Sequence, residues 1–522
     1  MSQDDFQDES TEQQTYDTEE NIAPYMLTWP RYIIIIGSIV LALVVTISAP
    51  AGLWPVVFMA YINCMLYAFF ATKFLRKRTL SALIPVISPL WMVLGSCVGI
   101  IYFAIFFPND GYVIEDGFVS YFAGGVRYQL VIFIFLLMYF VVLSWVLRKD
   151  QPGEQNPAAN TKYIGYAAIA TGIPILAMYP VSVTFGLPLF LQAWSFRLFF
   201  YYQSILFAAG VVFDRLSKSV KIILFGCLGI ISFLYLLRDA RGMALMPIAS
   251  MFIGLFFFSS CSRKAKAAWL PGLLIFMIFF MLIGSTLRTL LGHGGALTYN
   301  LSTRWATLKD WKSAAAGKDA IKSVFSRLYY TAGNAVVAYT PSRHAYRNFS
   351  IAKYAKEFVL YMIPEPILRR IIPLEPGKLY KVLGTELSSP FVLLDYGIWI
   401  SEQTSVETST IGHFWMLGGY WYVVCGGVMV ALLHSIIIYV IRHAWNSDPD
   451  KGVFYFAVLI NQIIGTMNSD FILLARLTLI PLFFAFIGYK LIKPFISRFN
   501  TTTFDSEFEG QQLQEYAHKY TD

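Results

Sequence analysis

The chain has 522 residues, of which 57% are hydrophobic, 17% aromatic and 14% charged, with a formal net charge of +8. That much apolar side chain exceeds what a soluble core of this length could bury, so a soluble globular protein is excluded and an all-α polytopic membrane protein is expected. Most Lys and Arg stand in short runs beside apolar segments, so the positive balance reports topology rather than nucleic-acid binding.

Residues 1–30 open with MSQDDFQDESTEQQTYDTEEN, acidic and polar where a signal peptide would need a basic region and an apolar core. They read as a disordered cytoplasmic tail. A spanning helix needs ~20 largely apolar residues, fewer where the bilayer thins locally. On that measure about twelve spans follow, forming a helical bundle. Spans 1–9 occupy 31–291, at 33–48, 53–70, 83–106, 130–147, 163–178, 199–213, 222–237, 243–258 and 270–290. Spans 10–12 occupy 411–494, at 414–440, 453–467 and 471–492, and 495–522 form a second cytoplasmic tail. The halves carry neither an internal repeat nor an inverted one.

Basic runs mark alternate connections: Lys73/Arg76/Lys77/Arg78, Arg148/Lys149/Lys162, Arg215/Lys218/Lys221, Arg263/Lys264/Lys266, Arg442/Lys451 and Lys490/Lys493/Arg498. All lie on one side if both termini are cytoplasmic. The outer face then receives the loop 108–128, the turn 238–242 and one large segment, 292–410, between the ninth and tenth spans. That segment is too long for a linker and too apolar for disorder, and is expected to be a small outer domain. Within it SVFSRLYYTAGNAVVAYT sets Val324, Leu328, Ala332 and Val336 at near-helical spacing, which predicts an amphipathic helix. The prolines of MIPEPILRRIIPLEPGK then break the chain into short turns. Cys64, Cys97, Cys227, Cys261 and Cys425 lie in or beside apolar segments without a CxxC pair, so neither a disulfide framework nor a zinc site is expected.

Chemistry-bearing residues gather outside. Arg238 and Arg241 flank Asp239 in a connection of a few residues, against the topological bias. A capped turn with one Arg–Asp pair accounts for one cation and leaves the second at the mouth of the bundle. Guanidinium groups grip phosphate in a bidentate fashion and stay charged when desolvated, so a pyrophosphate-bearing ligand from the outer leaflet fits there. The outer segment adds Arg304, Arg327, Arg343, Arg347, Arg369 and Arg370, for which a solvated basic surface is the plain alternative. STIGHFWMLGGYWYVVCGG places His413 at the outer boundary, where an imidazole exchanges protons near neutral pH, and adds glycines that permit close helix approach. An interfacial histidine bonded to backbone is the alternative. Asp110, Glu115 and Asp116 in the loop 108–128 read as a solvated acidic loop rather than a metal-holding pair. P-loop, GxGxxG, HExxH and GxSxG frames are missing from any usable context.

Three stretches together resemble the O-antigen polymerase and ligase superfamily, with Wzy-type polysaccharide polymerases nearest. Leu237-Arg238-Asp239-Ala240-Arg241-Gly242 looks like the small-residue, Arg, Gly turn that opens an outer-leaflet helix, with Arg241 on the motif arginine. Met362-Ile363-Pro364-Glu365 through Pro373-Leu374-Glu375-Pro376-Gly377-Lys378 looks like the proline-punctuated stretch of the large periplasmic loop. Gly412-His413-Phe414-Trp415-Met416-Leu417-Gly418-Gly419 looks like the run that starts the next helix. Glu365 stands where the family usually has arginine, and His413 where polymerases often have glutamate and ligases use histidine.

The resemblance implies a GT-C-like bundle in the cytoplasmic membrane of a bacterium and metal-independent, inverting glycosyl transfer without a cofactor. It implies a polyprenyl-pyrophosphate-linked oligosaccharide as donor and the sugar hydroxyl of the next lipid-linked repeat unit as acceptor. A flippase and a chain-length regulator would be further partners, and nucleic acid would not. Arg241, helped by Arg238, Arg304, Arg327, Arg343 or Arg347, would hold the pyrophosphate, and His413 would accept the hydroxyl proton. Trp305, Trp311, Tyr329 and Tyr330 would line a sugar path by stacking, or anchor at the interface. The rival readings are an O-antigen ligase, which shares the chemistry but transfers to a lipid core, and a polysaccharide transporter or flippase without covalent chemistry.

Overall fold

A computed structural model describes residues 39, 53–77, 79–107, 109, 111–114, 117–120, 122, 124–148, 168–170, 172–176, 202–203, 205–237, 241–259, 351–363, 409–447, 451–452 and 454–456. It also describes 272, 275, 280, 282–283, 325, 337, 459, 471, 474–475, 478–479, 482, 486–487 and 489–490. The elements are α1 (Leu53–Leu75), α2 (Ile84–Phe106), β1 (Gly111–Ile114), β2 (Gly117–Ser120), α3 (Gly125–Val146), α4 (Lys218–Leu237), α5 (Arg241–Phe258), α6 (Ile351–Met362), α7 (Ser409–Gly418) and α8 (Tyr420–Ser447).

Among the described residues, helices over Leu53–Leu75, Ser81–Phe106, Gly125–Val146, Lys218–Tyr235 and Tyr420–Ser447 are long and apolar enough to cross a membrane, and Ala244–Phe256 is a shorter apolar helix. These cover the expected spans at 53–70, 83–106, 130–147, 222–237, 243–258 and 414–440. The expected span at 199–213 is described at 202–203 and 205–213 and is helical through 211, and that at 163–178 is helical at 168–170 and 172–176; those at 33–48, 270–290, 453–467 and 471–492 lie largely outside the described residues. Two expectations change. The tenth span begins at Tyr420 rather than 414, because Gly419, at φ 69°, turns the chain and leaves α7 as a separate short helix. The loop 108–128 is not wholly irregular: β1 and β2 pair antiparallel, with Gly111 opposite Ser120 and Ile114 opposite Gly117.

The core forms around α3, a helix apolar all round, as a helix packed on several sides must be. It lies between α1 and α8, with Tyr128, Val131, Ile132, Phe135, Leu136, Tyr139, Phe140 and Leu143 buried. Phe140 stacks on Phe70 of α1 with centroids 4.8 Å apart. On the other side a Cβ at Gly427 of α8 would stand 2.7 Å from the Phe135 carbonyl oxygen, so only glycine admits this approach.

Polar side chains tie the core together where hydrocarbon offers no partner. Asn63 Nδ2 donates to Gln129 Oε1 at 2.9 Å and to the Gln129 carbonyl at 3.0 Å, and Gln129 Nε2 donates to Ser96 Oγ at 2.8 Å, joining α1, α3 and α2. The Tyr139 hydroxyl and His434 Nδ1, 2.7 Å apart, join α3 to α8. Gln129→Leu keeps the volume and strands Ser96 and one Asn63 proton. It is expected to cost about 1–2 kcal/mol, read as a lower thermal unfolding midpoint of the detergent-solubilised protein. An unchanged midpoint would mean that the three side chains do not support one another.

The two ends of the bundle differ. At one end Lys77 Nζ donates to the terminal carbonyl of Leu147 at 2.6 Å, and Arg442 Nε donates to Ser81 Oγ at 3.1 Å. Cations from three expected same-side connections, 73–78, 148 and 442, are thereby gathered together. At the opposite end, residues of the segment 292–410 pack on the bundle. Phe325 stacks on Tyr102 with centroids 3.7 Å apart, and Phe358 of α6 stacks on Phe471 at 6.2 Å. Trp54 and Trp421, each 80% exposed, open α1 and α8 at this end, while Trp145, 76% exposed, closes α3 at the basic end. Amphipathic indole rings at both ends of helices this long mark the two interfaces of a bilayer.

Candidate functional site

The site region is the end of the bundle opposite the basic cluster, where α7 is wedged beside α3 and α8. Ser409 begins α7 at φ 73°, a conformation few residues other than glycine adopt, and its Oγ accepts the Gly412 N–H at 3.3 Å. The far end of α7 is set by Gly419, and its face by Phe414, whose ring fills the space a side chain at Gly426 of α8 would need. Conformation and packing at Ser409, Gly419 and Gly426 thus seat one short helix against two spanning helices.

His413 lies in the middle of α7 and is completely buried. Its ring meets Phe414 edge-on, with centroids 5.6 Å apart and planes at 80°. Phe414 in turn touches Phe471 at 5.6 Å, and Phe471 carries Phe358 of α6, so an aromatic chain runs from the inserted segment down to the neighbour of His413. The sequence places His413 at the outer boundary, and the structure adds that it is buried there. The ring is enclosed, because α7 turns inward at Gly419 rather than continuing the spanning helix.

Arg241 is the first residue of α5, and a helix N-terminus adds its partial positive charge to any anion bound there. The Arg241 side chain lies outside what the structure describes, as do Arg238, Asp239, Arg304, Arg327, Arg343, Arg347, Arg369, Arg370, Trp305, Trp311, Tyr329, Tyr330, Glu365 and Glu375. Asp110, Glu115 and Asp116 lie outside the described residues as well, and of the expected helix at 323–340 only Phe325 and Val337 are described, both helical. Val337 is fully buried, which places part of that stretch inside the packed end of the molecule.

Arg127 was missed in the sequence. It stands half-buried in the first turn of α3, next to Tyr128, and acts electrostatically on the Tyr420 hydroxyl at the start of α8. The signal is the same as at Arg238 and Arg241, a cation close to a spanning helix on the side expected to face outward. Gly124, at φ 76°, begins α3 without a side-chain cap, so the Arg127 turn presents backbone N–H groups and a cation together. Comparison of the chain with protein families, curated proteins and solved structures gives no match.

Proposed function

We propose that the chain is a polysaccharide polymerase of a bacterial cytoplasmic membrane, an inverting glycosyltransferase that joins polyprenyl-pyrophosphate-linked repeat units at the outer face. The observation that carries this reading is the concentration of unusual features at one end of a membrane bundle. Arg241 opens α5 there in the resembling motif, α7 holds His413 apart from α8, and Phe358 of the inserted segment packs through Phe471 onto Phe414 beside His413. The positive-inside rule assigns the opposite end, with Lys77, Arg148 and Arg442, to the cytoplasm.

In this reading the acceptor hydroxyl oxygen attacks the anomeric carbon of the donor glycan. The bond from that carbon to the pyrophosphate oxygen breaks, and the hydroxyl proton passes to His413 Nε2 or Nδ1. The polyprenyl pyrophosphate leaves as an anion held by Arg241 with Arg238, and with Arg304, Arg327, Arg343 or Arg347 from the inserted segment. Neither metal nor cofactor takes part. Because His413 is enclosed, the acceptor enters only when the packing around it parts, which would also keep water from hydrolysing the donor.

The test is direct. Full-length protein in liposomes with polyprenyl-pyrophosphate glycans should lengthen the glycan on its carrier, and a strain lacking the protein should keep one repeat unit on the lipid anchor. Polymer accumulating on the carrier in that strain would make the protein an O-antigen ligase, the reading that His413 itself favours. Glycan crossing the bilayer without any new glycosidic bond would make it a transporter. His413→Ala should lower turnover by about 10²–10⁴-fold with little change in donor binding. Activity near wild type would move the base to Glu365 or Glu375.

A further inference from the structure

We propose that Cys64 and Cys97 form an oxidisable dithiol at the lipid face of the α1–α2 seam, a modification site whose reagent is a quinone dissolved in the bilayer. The sulfurs are 3.3 Å apart, and Cys97 Sγ donates to the Ala60 carbonyl oxygen at 3.4 Å. With the Cys97 proton committed to Ala60, Cys64 is the donor of the S–H···S contact. The lone pairs of Cys97 and the sulfur of Cys64 therefore already face one another, and a small closure would bring them to bonding distance.

Position selects the oxidant. Cys64 is near the midpoint of the 23 residues of α1, and Cys97 near the midpoint of the 23 residues of α2, so both sit at the centre of the hydrocarbon. Both thiols are only part-buried, and Tyr61, Met65, Leu94, Val98 and Ile101 beside them are exposed on the face that lipid covers. On their inner side lie Asn63 and Ser96, each the chain neighbour of one cysteine and each engaged with Gln129 in the core. The thiols thus point away from a fixed polar lock toward the acyl chains, where aqueous oxidants and glutathione are dilute and quinones are concentrated.

The step balances as a two-electron exchange. Both S–H bonds break, one S–S bond forms between Cys64 and Cys97, and two electrons with two protons pass to the quinone oxygens, giving the quinol. Thiol–disulfide exchange with a membrane-permeant thiol reverses it. The product ties α1 covalently to α2 across 33 residues of chain and leaves the Gln129 lock intact.

The full-length protein in phosphatidylethanolamine/phosphatidylglycerol liposomes would be treated with decylubiquinone, whose fully substituted ring does not alkylate thiols, then acid-quenched, alkylated and analysed by mass spectrometry. The expected result is that Cys64 and Cys97 lose alkylation together and appear in one cross-linked species lighter by two hydrogens. Cys227, Cys261 and Cys425 should stay alkylatable, and one quinol should form per chain. Dithiothreitol should restore both thiols. Cys64→Ser and Cys97→Ser should each abolish quinol formation, and the wild-type mass analysis decides the matter even if a variant folds poorly. Both thiols remaining alkylatable in the presence of excess quinone, or oxidation appearing instead as Cys425 links between copies, would overturn the proposal.

Discussion

Replacement of Arg241 by alanine is expected to stop chain growth while leaving the protein folded in the membrane. Arg241 is the first residue of α5, and the residues that pack this helix are Ala244, Ile248, Met251 and Leu255, all buried on one face. They lie three or more positions beyond Arg241, so the packing of α5 is expected to survive the replacement. What is lost is a cation where the departing pyrophosphate gains charge, and removing one preorganised group of that kind lowers turnover by about 10²–10³-fold. Arg241→Lys keeps the charge but not the planar fork that grips two phosphate oxygens, so it should recover only part of the rate. The measurement is the chain-length distribution of polymer made in cells and by purified protein in liposomes, alongside membrane yield. A normal distribution from Arg241→Ala would end the pyrophosphate assignment.

The spanning helices were legible in the sequence because burial in hydrocarbon is written as unbroken apolar length. The stretches at 53–70 and 222–237 lie wholly inside α1 and α4, which each run on at one end by a few residues that an interface accepts. The break at Gly419 was half legible. Gly418 and Gly419 announced a turn, yet the run of apolar residues on either side reads as one span unless Gly419 is known to take positive φ. The amphipathic α6 is legible in Ile351, Ala355, Phe358, Val359 and Met362 at helical spacing. The Asn63–Gln129–Ser96 lock could not be read at all. Its members are 33 and 66 residues apart in separate spans, each a lone polar residue, and only helix register brings them together. The same holds for Cys64 and Cys97, which look unrelated until α1 and α2 pack side by side.

The other large effect is expected where α5 crosses the helix at 205–211. A Cβ on Gly210 would fall inside van der Waals contact of the Met251 carbonyl oxygen, and one on Gly254 inside that of the Phe207 carbonyl oxygen. Each glycine thus lies against the backbone three residues before the other, so the two helices touch main chain to main chain. Such approach gives dispersion and Cα–H···O contact where the bilayer supplies no hydrophobic drive for association. A flexible side chain could swing aside to admit a methyl group, but a carbonyl oxygen within a helix cannot, so the helices must separate along the whole crossing. Gly254→Ala is expected to cost about 2–3 kcal/mol, the upper part of the overpacking range, and Gly210→Leu or Gly254→Leu to prevent folded protein from accumulating. Gly229→Ala in α4, where a Cβ meets nothing within 4 Å, should leave the unfolding midpoint unchanged or raise it slightly, since alanine favours the helix. Because α5 carries Arg241 at its head, the two experiments separate fold from chemistry. Arg241→Ala should lose activity at full folded yield, whereas Gly254→Ala should lose folded yield with the remaining molecules as active as the unaltered protein. Loss of activity per folded molecule in Gly254→Ala would show that the crossing also sets where the head of α5 stands.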